Sequence, residues 1–268
     1  MTELTTNDRI AVTMDEGVAH VRLNRPDKMN ALDPAMFDAI IEAGQTVSHV
    51  KGVRAVILSG EGRSFCAGLD TSSFGRTPDN DEPSIEERTH GNANKFQEVA
   101  MVWRKCPVPV IAAIHGVCFG GGMQIASGAD IRIVHPQARM AIMEMKWGLV
   151  PDMGGYALWR GLVRGDVLRE LVYTNREFSG EEAQALGLAT SVADHPLDQA
   201  MDLARTIADR NPEAIRAAKR LFDVMADGST DEILMEESVE QAAIIRKPNQ
   251  IEAVMAGMAK RKPVFQDG

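Results

Sequence analysis

The sequence predicts an α/β protein, because apolar runs with the composition of buried strands alternate with segments of helical periodicity. The runs are "VRAVILSG", "VPVIAAIHG" and "ADIRIVHP", which end at Gly60, Gly116 and Pro136. They lack the in-and-out alternation of a half-exposed sheet, as expected for strands covered on both faces and joined by crossovers. From about Leu197 onward the pattern is almost wholly helical.

The opening "IAVTMDEGVAHVRLN" reads as two antiparallel strands with a turn at Asp15, Glu16 and Gly17. A helix is expected from Pro34 to about Val50, with Asp33 as its cap and Met36, Ile40, Ile41 and Val47 near one face. The polar stretch from Thr71 to about Asn94 has no core periodicity and is the candidate for a mobile loop at a binding site. In the C-terminal part, Pro212 and Pro248 stand at expected helix starts. Ile251, Val254, Met255 and Met258 form an apolar stripe on the last helix, expected to cover the molecule's own core, with a subunit interface as the alternative. The division expected is a core of residues 1–196 and a helical region of residues 197–268.

A chain of 268 residues, 44% hydrophobic and 25% charged, can bury a large core. Its formal net charge of −9 repels phosphate backbones and anionic lipid, which argues against nucleic acid as a partner. Cys66, Cys106 and Cys118 have no C-x-x-C spacing and cannot all pair, which favours reduced thiols and a cytoplasmic setting. No segment reads as a signal peptide or reaches the ~18 apolar residues of a membrane span, so no membrane association is expected. The six histidines show no metal-ligand spacing, and no metal is expected.

Two of the strands end in glycine-bearing turns, "SGEGRSFCAGLD" and "HGVCFGGGMQ". Neither carries a dinucleotide fingerprint or a P-loop. Such turns could aim two backbone N–H groups, one from Ala67–Gly68–Leu69 and one from the helix start near Gly121, at a single oxygen that gains negative charge. The other reading is that glycines at Gly120 to Gly122 only allow close helix–strand packing. Cys66 has no histidine in its motif and is expected to pack rather than react, and His115 to make a structural hydrogen bond. Trp147 and Trp159 are expected to line the core or a pocket.

"SFCAGLD", "AAIHGVCFGGGMQIASGADIRI", "MEMKWGLVPDMGG" and "GMAKRKPVF" occur in this order and resemble the enoyl-CoA hydratase/isomerase family, the crotonase superfamily. The resemblance implies a crotonase-like spiral of ββα units, a C-terminal helical trimerisation region, a trimer or dimer of trimers, and an acyl-CoA thioester substrate that brings coenzyme A with it and needs no separate cofactor. It implies oxyanion-hole donors at the N–H groups of Leu69 and Gly121. It points to Lys28, Met29, Ala31, Ala67, Gly68, Asp70 and Gly120 for CoA and substrate binding. Lys260, Arg261 and Lys262 could meet CoA phosphates, or form a solvated helix end; the aromatic residue common in the corresponding helix of relatives is missing before Phe265.

The resemblance also implies a thioester enolate whose fate is decided by acid and base groups above it. Hydratases of the family use two glutamates around a catalytic water. The second falls on Glu144, but the first falls on Gln124, whose amide cannot take a proton from water as a carboxylate can. Asp152, eight residues after Glu144, stands where the dienoyl-CoA isomerases and a dehalogenase of the family carry a functional aspartate. The alternative is a turn residue after Pro151. The expected activity is therefore hydration of a 2-enoyl-CoA or a double-bond shift using Glu144 and Asp152 with Gln124 in a positioning role. An acyl-CoA-binding subunit with little turnover is the alternative of another class.

Overall fold

The structure is a computed structural model that describes residues 1–73 and 83–267. In chain order it has strands β1 (Thr2–Thr6), β2 (Ile10–Asp15) and β3 (Val18–Leu23), helix α1 (Pro34–His49), β4 (Ala55–Gly60), α2 (Lys95–Lys105), β5 (Val110–Ile114) and β6 (Val117–Phe119). Then come α3 (Gly121–Ser127), β7 (Ile131–Val134), β8 (Arg139–Ala141), α4 (Gly155–Trp159), α5 (Gly165–Thr174), α6 (Gly180–Leu186) and β9 (Ser191–Val192). Helices α7 (Pro196–Ala208), α8 (Pro212–Asp227), α9 (Thr230–Ile244) and α10 (Pro248–Met258) complete the chain.

Among the described residues the main sheet has the order β1-β2-β3-β4-β5-β7-β9. It is antiparallel through β3 and parallel from β3 to β9. A second, smaller layer pairs β6 with β8 and is extended by bridges between Leu32 and Leu69, Cys66 and Cys118, and Met140 and Phe178. The chain therefore repeats one path: a strand of the main sheet, a short stretch of the second layer, then a helix. β4 leads to Cys66–Leu69 and α2; β5 leads to β6 and α3. This is the ββα spiral that the motifs imply, and it brings all the short second-layer stretches, with their glycine turns, side by side.

Local signals account for the helix starts. Asp33 caps α1 by accepting from the Met36 amide, and Pro34 occupies the first turn, where its missing N–H costs nothing. Asn94 and Gln97 form a capping box on α2. The hairpin turn lies at Glu16–Gly17, both with positive φ, as the sequence indicates. β1 was not foreseen, since "TELTT" has one apolar residue and no alternation; it is an edge strand held by its backbone pairing with β2 and by Leu4, which packs against the core.

Two apolar layers sandwich the main sheet. One, under α1, α2 and α3, contains Leu23, Met36, Ile40, Leu58, Trp103 and Ile125. The other is closed by α7, whose Ala200, Ala204 and Ala208 pack on Val18, Ile57, Ile111 and Ile133. α7 is thus bound to the sheet directly, although it lies beyond the expected division near residue 197. α8 is tied on by Lys219, which is buried and reaches the Val108 carbonyl at 2.9 Å and Asp130 at 2.8 Å.

The stripe on α10 does not cover the molecule's own core. Ile251, Val254, Met255 and Met258 are between 48% and 79% exposed, because Asn249 and Ala256 form the buried side of that helix instead. The stretch expected to be a mobile loop falls partly outside the described residues, over 74–82; residues 71–73 form a single 3₁₀ turn. No helix among the described residues is long and apolar enough to cross a membrane.

Candidate active site

The first glycine turn is fastened from below by the segment before α1. Asn30 is fully buried and in the left-handed region; its Nδ2 lies 2.9 Å from the Ser64 carbonyl and 3.1 Å from that of Phe65, and its Oδ1 accepts from the Arg25 amide. Leu32 N–H donates to Gly68 O and Asp70 N–H to Leu32 O. In a parallel bridge of this kind the opposite residue, Leu69, turns its own N–H away from Leu32. That is the side on which Cys66 pairs with Val117 and Phe119, just before Gly121.

Gly68 adopts φ +87°, and a Cβ there would lie 2.8 Å from the Phe119 carbonyl and 3.6 Å from the Gly121 nitrogen. The two turns are therefore in contact. Gly121 begins α3, where amides have no intrahelical acceptor. The turn carrying Leu69 and the start of α3 at Gly121 thus lie next to each other.

The glycines of the second turn allow close packing. Gly120 has φ +51°, which a residue with a side chain adopts only under strain. A Cβ at Gly121 would meet Leu32 at 2.7 Å and Met153 at 2.9 Å, and one at Gly122 would meet Cys66 at 2.6 Å. The packing reading of the run holds at Gly121 and Gly122, where the protein itself fills the space beside the glycines, and a Cβ on Gly120 would sit 3.4 Å from Glu144 Oε1.

Glu144 opens the 3₁₀ turn Glu144–Trp147 and is buried. Its Oε1 accepts from Gln124 Nε2 at 2.7 Å, and its Oε2 is buried with no hydrogen-bond partner. Burial pushes its carboxyl above the ordinary glutamate value; the Gln124 bond pulls down, and the Asp152 charge adds to the rise. Asp152 opens to solvent in the isolated chain, yet the protein around it also raises its carboxyl, chiefly by desolvation. Gln124, on α3, is fully buried, and its Oε1 accepts from the amides of Met153 at 2.9 Å and Gly155 at 3.0 Å. The three residues singled out in the sequence are thus one linked group beside Gly120.

The other marked positions separate into two kinds. Lys28 is exposed, and Met29 and Ala67 line a cleft of about 470 Å³ with Arg63, Phe119 and Arg139. Arg63 and Arg139 escaped the sequence reading because nothing in their local pattern marks them; only the spiral brings them beside Ala67. Ala31 is buried, and its carbonyl accepts from Arg25. Asp70 is held by Ser72 and by Arg25, which together keep its carboxyl at about 2, so its charge is spent on the protein's own groups. Arg261 pairs with Glu252, and Lys262 with Asp209.

Cys66 is buried, its Sγ donates to the Asn30 carbonyl at 3.1 Å, and desolvation pushes its thiol up to about 12, which makes it a packing residue. His115 bonds the Gly62 carbonyl at 2.9 Å. Trp159 is buried with its Nε1 on Ser127, whereas Trp147 is half exposed.

The chain matches the family described as "Enoyl-CoA hydratase/isomerase" over residues 13–268. Among curated relatives it is 33% identical to the mitochondrial Δ(3,5)-Δ(2,4)-dienoyl-CoA isomerase of Mus musculus, over 91% of this chain and 77% of that one. It is 32% identical to the peroxisomal enzyme of the same name from Arabidopsis thaliana, over 94% and 93% of the two chains. The crystal structure of an enoyl-CoA hydratase from Bacillus anthracis superposes with a TM-score of 0.87 at 27% identity, covering 96% of this chain and 98% of the other. With motifs, spiral and relatives in agreement along nearly its full length, the chain belongs to the enoyl-CoA hydratase/isomerase family.

Proposed function

We propose that the chain isomerises double bonds in an enoyl- or dienoyl-CoA thioester, with Glu144 and Asp152 as the proton-transfer pair and no activated water. The observation that carries this reading is the position of Gln124. Its amide is bonded to Glu144, Met153 and Gly155, so the residue at the place of the first of two water-activating carboxylates holds the protein together instead. The resemblance to dienoyl-CoA isomerases supports the same direction.

In this scheme the thioester carbonyl sits between the Leu69 and Gly121 amides. One carboxylate of the pair removes a proton from the carbon next to the carbonyl. The electron pair moves onto the oxygen, giving an enolate stabilised by the two N–H groups. The other carboxyl, in its protonated form, delivers a proton to the far end of the conjugated system, and the net result is a shifted double bond with no atom gained. Two raised carboxyls, Glu144 by burial and by the Asp152 charge and Asp152 by burial, suit this task, because one can hold a proton while the other has lost it. The cleft of Met29, Arg63, Ala67 and Arg139 offers the Arg63 guanidinium for the CoA part, while that of Arg139 is paired with Glu177. Coenzyme A arrives with the substrate, and the scheme calls for no other cofactor.

The exposed apolar residues of α9 and α10, Met235, Val239, Ile251 and Met255 among them, support assembly into a trimer or a dimer of trimers.

The test offers crotonyl-CoA, a 3-enoyl-CoA and a 3,5-dienoyl-CoA to the wild type, Glu144→Ala and Asp152→Asn. Turnover of an unsaturated isomer is expected, falling about 10²–10⁴-fold in each variant. Hydration of crotonyl-CoA as the main reaction, unchanged in Asp152→Asn, would overturn the proposal. Binding of all three thioesters with no turnover would favour a binding subunit.

A further inference from the structure

We infer that Gln124 is a positioning residue that fixes Glu144 Oε1 as a permanent acceptor, leaves Oε2 as the oxygen that exchanges the proton, and anchors the turn carrying Asp152. The inference rests on the reading of Glu144 and Asp152 as the proton-transfer pair.

The hydrogen-bond pattern determines which way the Gln124 amide faces. Two backbone N–H groups, from Met153 and Gly155, converge on one of its atoms at 2.9 and 3.0 Å. Two donors can share only an acceptor, so that atom is the carbonyl oxygen and the other end is the NH₂ group. The NH₂ lies 2.7 Å from Glu144 Oε1 and can only donate. A hydroxyl oxygen accepts a hydrogen bond more weakly than a carbonyl oxygen, so the Gln124 bond favours Oε1 as the unprotonated oxygen. Protonation of Glu144 is therefore favoured at Oε2, the oxygen that has no hydrogen-bond partner.

The same amide sets the second carboxylate. Asp152 directly precedes Met153, and Gly155 follows two residues later, so both anchor points flank the same turn. A Cβ at Gly155 would come within 2.8 Å of Gln124 Oε1, so a glycine is required for the backbone to approach this closely. Gln124 has no exposed surface, so water cannot take over its bonds if the side chain is changed.

A glutamate at 124 has nearly the same shape but the opposite effect. One oxygen would still serve the two backbone amides. The other would face Glu144 Oε1 at hydrogen-bond distance with no hydrogen between them, so the pair would have to share a proton. Gln124→Met keeps the volume and removes the bond altogether.

The experiment titrates the side-chain carboxyl carbon of Glu144 by ¹³C NMR in protein labelled at glutamate, with the resonance assigned by its loss in Glu144→Gln. An about tenfold rise in proton affinity of Glu144 is expected in Gln124→Met, and a coupled two-step titration in Gln124→Glu. In parallel, the acid limb of kcat/KM for the isomerised thioester should move to higher pH in both variants, with KM little changed. A Glu144 titration that stays at its wild-type position in both folded variants overturns the inference, whatever the activity. If the titration moves as expected and no thioester is isomerised, the inference about Gln124 stands and the proposed reaction fails.

Discussion

Arg25 clamps Asp70 across the first glycine turn: its Nη1 donates to Asp70 Oδ2 at 2.6 Å and also to the Ala31 carbonyl at 3.0 Å. The clamp joins the segment before α1 to the turn that presents Leu69, so a residue marked for substrate binding does its visible work on the backbone. The backbone and side chain of Ser72 add to it, and the carboxyl is held at about 2. A depressed carboxylate contributes stability that is fully present above the unfolded aspartate value and is lost as pH falls toward the folded one. Asp70→Asn is expected to cost about 1–2 kcal/mol at pH 7, allowing for the partial exposure of Arg25. The difference between variant and wild type should shrink between about pH 4 and pH 2, read from denaturant midpoints across that range.

Gly68 is the point at which the two glycine turns touch. With φ +87° and the Phe119 carbonyl 2.8 Å from where a Cβ would stand, Gly68→Ala is both strained and crowded. The expected loss of stability is about 2 kcal/mol. Relief of the crowding must separate Leu69 from Gly121, so kcat should fall more than tenfold in protein that remains folded, since a misplaced donor is worth about 10²–10³ in rate. Gly62→Ala also alters a left-handed glycine, but away from the junction, and it should lose stability with a smaller effect on kcat.

Glu144 presents the opposite linkage from Asp70. Burial raises its carboxyl, so above the ordinary glutamate value the unfolded chain releases a proton that the folded chain retains, and stability falls as pH rises through that window. Glu144→Gln removes the penalty while keeping an oxygen for the Gln124 amide. The variant is expected to melt above the wild type at pH 7 and level with it near pH 4, while losing its turnover. Equal melting temperatures at both pH values would contradict the assignment of Glu144 as a strained, buried acid.

Legibility followed the range of the interactions. α1 was readable because cap, proline and apolar spacing coincide within a few residues of Asp33. The second layer was not, because strands of three residues such as β6 and β8 carry no period of their own and exist only through their neighbours. Glu144, Asp152 and Gln124 were visible as motif positions, and the absence of a carboxylate at 124 could be read directly. That the Gln124 amide grips Met153 and Gly155 could not, since it depends on two backbone groups about thirty residues away. For the same reason the roles of Asn30 and Arg25 in holding the first turn were hidden.

The apolar stripe of α10 supplies the last prediction. Its periodicity was plain, but periodicity does not say which body covers it, and in the folded chain Ile251, Val254, Met255 and Met258 face outward. Met235 and Val239 of α9 are likewise more than half exposed. Leaving so many large apolar side chains in water costs about 25 cal/mol for each Å² that could be buried, which favours association between copies. The mass in solution, measured by light scattering on a sizing column, is expected to be three or six times 29.2 kDa. Ile251→Glu with Met255→Glu places two charges on the stripe without touching the core and should reduce the mass toward a single chain. A wild-type protein that runs as one chain of 29.2 kDa at micromolar concentration would show that the stripe is not a subunit interface.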